Sequence, residues 1–359
     1  MARPVRLGFP HIPMSETTRL LKPEELTPAT ELTRQVLEQL DRSLLGRAEL
    51  HRLVLIGLLS RGHILLEGLP GLGKTALVQT IGDVMKLQFS RVQFTPDLMP
   101  GDVVGTHILQ ETDTGKREMI FEPGPVFTNI LLADEINRAS PKTQSAMLET
   151  MQERSVTLRG QTRPLPDPFF VLASQNPIEM EGTYPLPEAQ LDRFLFRVKF
   201  DTVDASVLQA IISDRRHGDL PAPTWQLDRE SLTYLFAIMD RIFLPKPVSG
   251  YIARLASATH PDHAEAPEAV KNYVQYGASP RAAIAMAEAA RAHALLDGRP
   301  TVGFEDVAVV AKPVMNHRLI LNYQARFDRV DTDQVLDELI EELDDAGLEL
   351  PSDVSLQNA

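Results

Sequence analysis

The chain has no cysteine and a single tryptophan among its 359 residues. Without thiols it can build neither a disulfide framework nor a thiolate metal centre. Long apolar runs are missing too. The longest, residues 53–59, falls far short of the roughly 20 residues that cross a bilayer, and Met1-Ala2-Arg3-Pro4 opens no signal peptide. A cytoplasmic location without a membrane span is the expectation. An excess of positive charge is also lacking: the formal net charge is −13, and residues 330–359 hold ten Asp or Glu with no Lys or Arg, which leaves −3 for residues 1–329. That balance is unlike the basic footprint of a nucleic-acid binder, so no nucleic-acid partner is expected. What remains is an ordinary globular composition, 43% apolar and 24% charged, in a chain long enough for two domains.

Against this background one stretch stands out. Gly68-Leu69-Pro70-Gly71-Leu72-Gly73-Lys74-Thr75 fits the phosphate-binding pattern G-x-x-x-x-G-K-[ST] at every fixed position. Before it, His63-Ile64-Leu65-Leu66-Glu67 has the apolar character of a buried strand. After it, Thr75-Ala76-Leu77-Val78-Gln79-Thr80-Ile81 has that of a helix. Backbone N–H groups in such a loop wrap phosphates at a helix N-terminus, where the dipole favours negative charge. Lys74 would reach the β- and γ-phosphates, and the Thr75 hydroxyl can ligate Mg²⁺. A second reading takes Gly71-Leu72-Gly73-Lys74-Thr75-Ala76 as a dinucleotide fingerprint, with Asp97 near the offset of a ribose contact. Lys-Thr after the last glycine favours ATP with Mg²⁺ over that alternative.

Two further strand tips carry polar groups. Ile130-Leu131-Leu132-Ala133 ends in Asp134-Glu135, which puts two carboxylates where open parallel sheets form their ligand crevice. Asp134 suits a second Mg²⁺ contact and Glu135 can activate or orient the attacking water; alone, the pair is equally an ordinary strand-ending turn. Phe169-Phe170-Val171-Leu172-Ala173 leads to Ser174-Gln175-Asn176-Pro177, where Asn176 can hold a water at the γ-phosphate or merely start a turn. Upstream, Leu45-Gly46 lies between two helical patterns and is either an adenine seat or a plain helix–helix connection.

Strands alternating with helices argue for an α/β fold, a parallel sheet covered on both faces. The pattern divides the chain into a mobile arm over residues 1–29, a nucleotide-binding core over 30–205, a linker over 206–227, an all-helical domain over 228–329 and an acidic tail over 330–359. The arm is expected from its prolines and lack of periodicity. Two hairpins are expected, one over residues 105–121 and one over 156–163. In the tail, Val335, Leu336, Leu339, Ile340 and Leu343 form an apolar stripe that either docks a partner or packs on its own domain.

With Leu191-Asp192-Arg193-Phe194 and Gly277-Ala278-Ser279-Pro280-Arg281 added, the set resembles the MoxR branch of the AAA+ ATPases, within the helix-2-insert clade. Gln93-Phe94-Thr95-Pro96-Asp97-Leu98, Phe121-Glu122-Pro123-Gly124-Pro125-Val126-Phe127 and Ala133-Asp134-Glu135-Ile136-Asn137-Arg138-Ala139 carry much of the likeness, which spans residues 45–318. So do Asn176-Pro177 and residues 181–190. The resemblance implies a P-loop AAA+ core followed by a smaller all-α lid, and a homo-oligomeric ring, usually of six subunits, with ATP between neighbours. It implies that Lys74, Glu135, Asn176 and Arg193 carry catalysis, Arg193 as an arginine finger reaching the next subunit's γ-phosphate. Arg281 resembles the lid arginine that senses the nucleotide in its own or a neighbouring subunit, and Arg138 a further inter-subunit contact or a plain salt bridge. A von Willebrand factor A (VWA) domain partner and chaperone-like maturation of a client complex are implied as well. A DNA-stimulated motor and a nucleotide-gated scaffold are the alternatives. The acidic tail and Ala258-Thr259-His260 depart from the family pattern.

Overall fold

Three apolar segments that are buried along their length, Ile64–Leu66, Ile130–Ala133 and Phe170–Ala173, set the architecture. Strands that are apolar on both faces need cover on both sides, which is the condition of a parallel sheet between helices. The computed structural model describes residues 20–69, 71–111, 117–176, 182–214 and 220–343. Pro70, the tip of the first hairpin and the end of the acidic tail therefore lie outside the described residues.

The chain forms two compact units, one of residues 1–241 and 295–300, the other of residues 242–294 and 301–359. In the first, helices α1 (Pro23–Ser43) and α2 (Ala48–Leu59) precede β1 (Ile64–Glu67), α3 (Lys74–Met85), β2 (Phe89–Gln93) and the short α4 (Pro100–Val104). A hairpin, β3 (Gly105–Glu111) and β4 (Arg117–Pro123), leads to β5 (Ile130–Asp134) and α5 (Pro141–Glu153). A second hairpin, β6 (Ser155–Leu158) and β7 (Gln161–Pro164), turns on Arg159 and Gly160, both at positive φ. Then come β8 (Phe170–Gln175), α6 (Glu188–Leu191), β9 (Phe196–Lys199), α7 (Ala205–Asp214) and α8 (Arg229–Met239). The five-stranded sheet is parallel, in the order β2-β5-β8-β1-β9.

Helix α1 begins at Pro23, inside the stretch expected to be a mobile arm. Proline at the first helical position has its φ already set and gives up only an N–H that no turn would use. The Lys22 N–H donates to Glu25 Oε2 at 3.0 Å and closes the helix start. Helix α8, which the sequence pattern grouped with the helical domain, belongs to the first unit. Its Tyr234 hydroxyl donates to the Glu25 carbonyl at 2.6 Å, and Arg241, just beyond the helix, pairs with Glu25 at 2.7 Å.

The second unit holds α9 (Lys246–Ala258), α10 (Glu268–Tyr273), β10 (Val274–Tyr276), most of α11 (Pro280–Leu296), α12 (Phe304–Met315), β11 (Ile320–Leu321), α13 (Tyr323–Asp328) and α14 (Thr332–Glu342). Of the apolar stripe, Val335, Leu336 and Leu339 are fully buried, because α14 packs on α9, α10 and α12 of its own unit. The departure at Ala258-Thr259-His260 is also structural. Thr259 Oγ1 accepts from the Ala278 N–H at 2.9 Å, and the chain approaches Gly277 so closely that a Cβ there would sit 2.7 Å from the Thr259 carbonyl.

Candidate nucleotide site

Strand register brings the candidate groups to one edge of the sheet. Glu67 pairs with Gln175 and Gln93 with Asp134, so the C-terminal tips of β1, β8, β2 and β5 stand side by side. The loop after β1 begins at Gly68, where a Cβ would fall 2.3 Å from the Phe200 carbonyl. Gly71 and Gly73 take φ of 81° and 99°, which side-chain-bearing residues rarely adopt. A Cβ on Gly71 would meet nothing within 4 Å. Thr75 and Ala76 lie in the first turn of α3 and are half-buried, and Leu69 is exposed.

Lys74 opens α3 and is buried, its Nζ donating to the Gly68 carbonyl. Burial pushes its ammonium below the ordinary value, against the pull of Asp134 and Glu135. Asp134 accepts from Ser174 Oγ at 2.5 Å and pairs with Arg91 at 2.7 Å. Glu135 sits in the left-handed region at φ 56°, and its N–H donates to the same Ser174 hydroxyl at 2.9 Å. One of its carboxylate oxygens accepts from Gln93 Nε2 at 2.8 Å and from Arg138 Nη1 at 3.0 Å. Arg138 thus forms the salt bridge that was one of its two readings. Asn176, one residue past β8, is buried, and its carbonyl accepts a long 3.5 Å bond from Asn137 Nδ2.

These groups suit a magnesium triphosphate. The donor set that Thr75 and Asp134 offer is all oxygen, as Mg²⁺ prefers. Left-handed glycines leading into a helix N-terminus, beside a buried ammonium, are suited to phosphate. The turn between α1 and α2 abuts this loop, where Arg47 donates to the Leu72 carbonyl at 3.2 Å and lies 3.9 Å over the Phe200 ring. An open cleft of about 690 Å³ is lined there by Gly46, Arg47, Leu50, Val198, Lys199 and Asp201, among others. Leu45 is half-buried and does not line it.

Arg193 is not part of this cluster. It follows α6 and precedes β9, and the Leu195 N–H bonds to the carbonyl of His63 at the start of β1. It therefore stands at the N-terminal end of the sheet, opposite the loop. There its Nη1 donates to the Leu148 carbonyl at 3.1 Å, while its Nε is buried without a hydrogen-bond partner. With Glu149 and Glu153, Arg193 lines a cavity of about 350 Å³. Arg281 belongs to the second unit, exposed in the first turn of α11.

Sequence reasoning missed Arg91 and the bridging role of Ser174. Neither lies in a motif with a spacing of its own; the pairing of β2, β5 and β8 brings both to Asp134.

Comparisons with known proteins bear on the family and the fold. Residues 63–196 match the family model described as "ATPase family associated with various cellular activities (AAA)", and residues 266–339 match the AAA lid domain. The chain is 42% identical to the chaperone MoxR1 of Mycobacterium tuberculosis, covering 89% of this chain and 83% of that protein. It is 32% identical to the protein MoxR of Methylorubrum extorquens, covering 79% and 86% respectively. A candidate ATPase of Cytophaga hutchinsonii, of known crystal structure, superposes with a TM-score of 0.82 at 37% identity, covering 89% of this chain and 97% of that one.

Proposed function

Because the chain belongs to the MoxR family of AAA+ ATPases, we propose that it hydrolyses ATP with Mg²⁺ at the interfaces of a ring of identical subunits. The observation that carries this reading is the meeting of Lys74, Asp134, Glu135 and Asn176 at one sheet edge while Arg193 stands at the other end. Lys74 and the loop N–H groups hold the β- and γ-phosphates. Thr75 and Asp134 hold the metal, which supplies charge neutralisation on the transferred phosphoryl group. Glu135 takes the proton of the attacking water, which Asn176 orients. Arg193 stands at the opposite end of the sheet from the loop of its own subunit, which supports a role at the neighbour's nucleotide. By the family resemblance Arg281 senses the nucleotide of its own or a neighbouring subunit, and Gly46 and Arg47 border the base.

Hydrolysis drives chaperone-like remodelling of a client complex together with a VWA-domain partner. The chaperone name of the M. tuberculosis relative supports the chaperone part; the partner rests on the family resemblance. The test is phosphate release by wild type and Glu135→Gln, with nucleotide binding measured separately. Loss of a general base should slow release by about 10²-fold or more while binding persists. Equal rates in the two proteins refute the assignment.

A further inference from the structure

The oxygen of Asp134 that faces away from Ser174 is held by a protein cation. Arg91 Nη2 lies 2.7 Å from Asp134 Oδ2, and the same nitrogen donates to Gln93 Oε1 at 2.8 Å. With Oδ1 accepting from Ser174, both carboxylate oxygens are engaged. The Asp134 side chain is 15% exposed and that of Arg91 46%. β2 is the edge strand of the sheet, so the guanidinium can swing into solvent without unpacking the core. On β2, Arg91 pairs with Leu132, two positions before the Gln93–Asp134 pair, so its side chain reaches along the strand to the carboxylate.

We propose that Arg91 is the resident counter-ion of Asp134 and is displaced when magnesium enters with the nucleotide, so that it sets the magnesium concentration at which the site loads. The inference rests on the metal role of Asp134 proposed above. A carboxylate oxygen that pairs with a guanidinium at 2.7 Å offers less of its lone-pair density to a hydrated dication, and the two cations repel each other. The half-exposed position keeps the ion pair weak enough to give way. Forfeiting a pair of this strength corresponds to about fivefold in apparent magnesium affinity. Arg91 is thus a positioning residue that competes with the metal without touching the reacting atoms.

The test titrates magnesium into the full-length protein with a non-hydrolysable fluorescent ATP analogue in fixed excess, reading fluorescence for wild type, Arg91→Ala and Arg91→Lys. Removing the guanidinium should move the midpoint to about fivefold lower magnesium. Lysine keeps the charge without the planar fork and should fall between. An unchanged or higher midpoint for Arg91→Ala overturns the proposal, and if that variant fails to fold, a wild-type or higher midpoint for Arg91→Lys does so. A wild-type midpoint in Asp134→Asn, or no magnesium dependence in the wild type, overturns the metal role of Asp134 instead.

Discussion

For the proposed ring, in which neighbouring subunits share a site, the position of Arg193 makes a demanding prediction. From the Ile64–Phe196 pair at the start of β1 and β9 to the Glu67–Lys199 pair at their ends is three residue steps, about 10 Å of strand at ~3.3 Å per residue. Arg193 lies before the start of this ladder and Lys74 beyond its end. The guanidinium is further anchored on the Leu148 carbonyl, away from the loop. If it acts, it acts on a neighbour. An arginine finger contributes about 10³–10⁵ in rate, or roughly 4–7 kcal/mol of barrier. Arg193→Ala and Lys74→Ala should therefore each be close to inactive alone, the first lacking the donated cation and the second the phosphate grip. Mixed in equal amounts and allowed to exchange subunits, they should regain activity, because an Arg193→Ala subunit keeps an intact loop and a Lys74→Ala neighbour keeps an intact finger. With random placement, about a quarter of the head-to-tail interfaces recover both groups. The assay is phosphate release against mixing ratio, peaking near equal amounts. A mixture that co-assembles yet stays flat, or Arg193→Ala alone at wild-type speed, refutes the reasoning.

Two further predictions concern stability. His63 is buried between β1 and β8, its Nδ1 accepting from the Val171 N–H at 3.1 Å and its Nε2 facing the Met151 carbonyl at 3.0 Å, which fixes a neutral ring protonated on Nε2. Burial lowers its pKa from 6.5 to about 4, so between those values the unfolded chain binds a proton that the folded protein does not. Stability should thus fall as pH drops from about 6.5 to about 4, by about 3 kcal/mol in all. His63→Gln should flatten that limb of the urea-midpoint profile by one proton, and parallel profiles would show that His63 is not its source. Among the loop glycines, Gly68→Ala should lower the melting temperature and the nucleotide affinity more than Gly71→Ala. The first forces a Cβ to 2.3 Å from the Phe200 backbone, at about 1–3 kcal/mol, whereas the second meets only left-handed strain of about 1–2 kcal/mol. Equal melting shifts would count against the clash.

The sequence by itself determined the strand–loop–helix around Gly68 to Thr75, the carboxylates after the run at residues 130–133, the α/β class and the family, because each of these is written in neighbouring residues. Short-range pattern also carried both hairpins. It misled at Pro23, where prolines and weak periodicity suggested a mobile arm but a helix starts, and at α8, whose apolar face does not reveal which unit it covers. Only the tertiary structure decided that Arg91 and Ser174 meet at Asp134, that Gly68 must lack a side chain because Phe200 passes beside it, and that Arg193 faces away from the loop of its own subunit. Each of those facts follows from the register of strands that are distant in the chain. A register is set by how the whole sheet packs, which no single stretch of residues encodes.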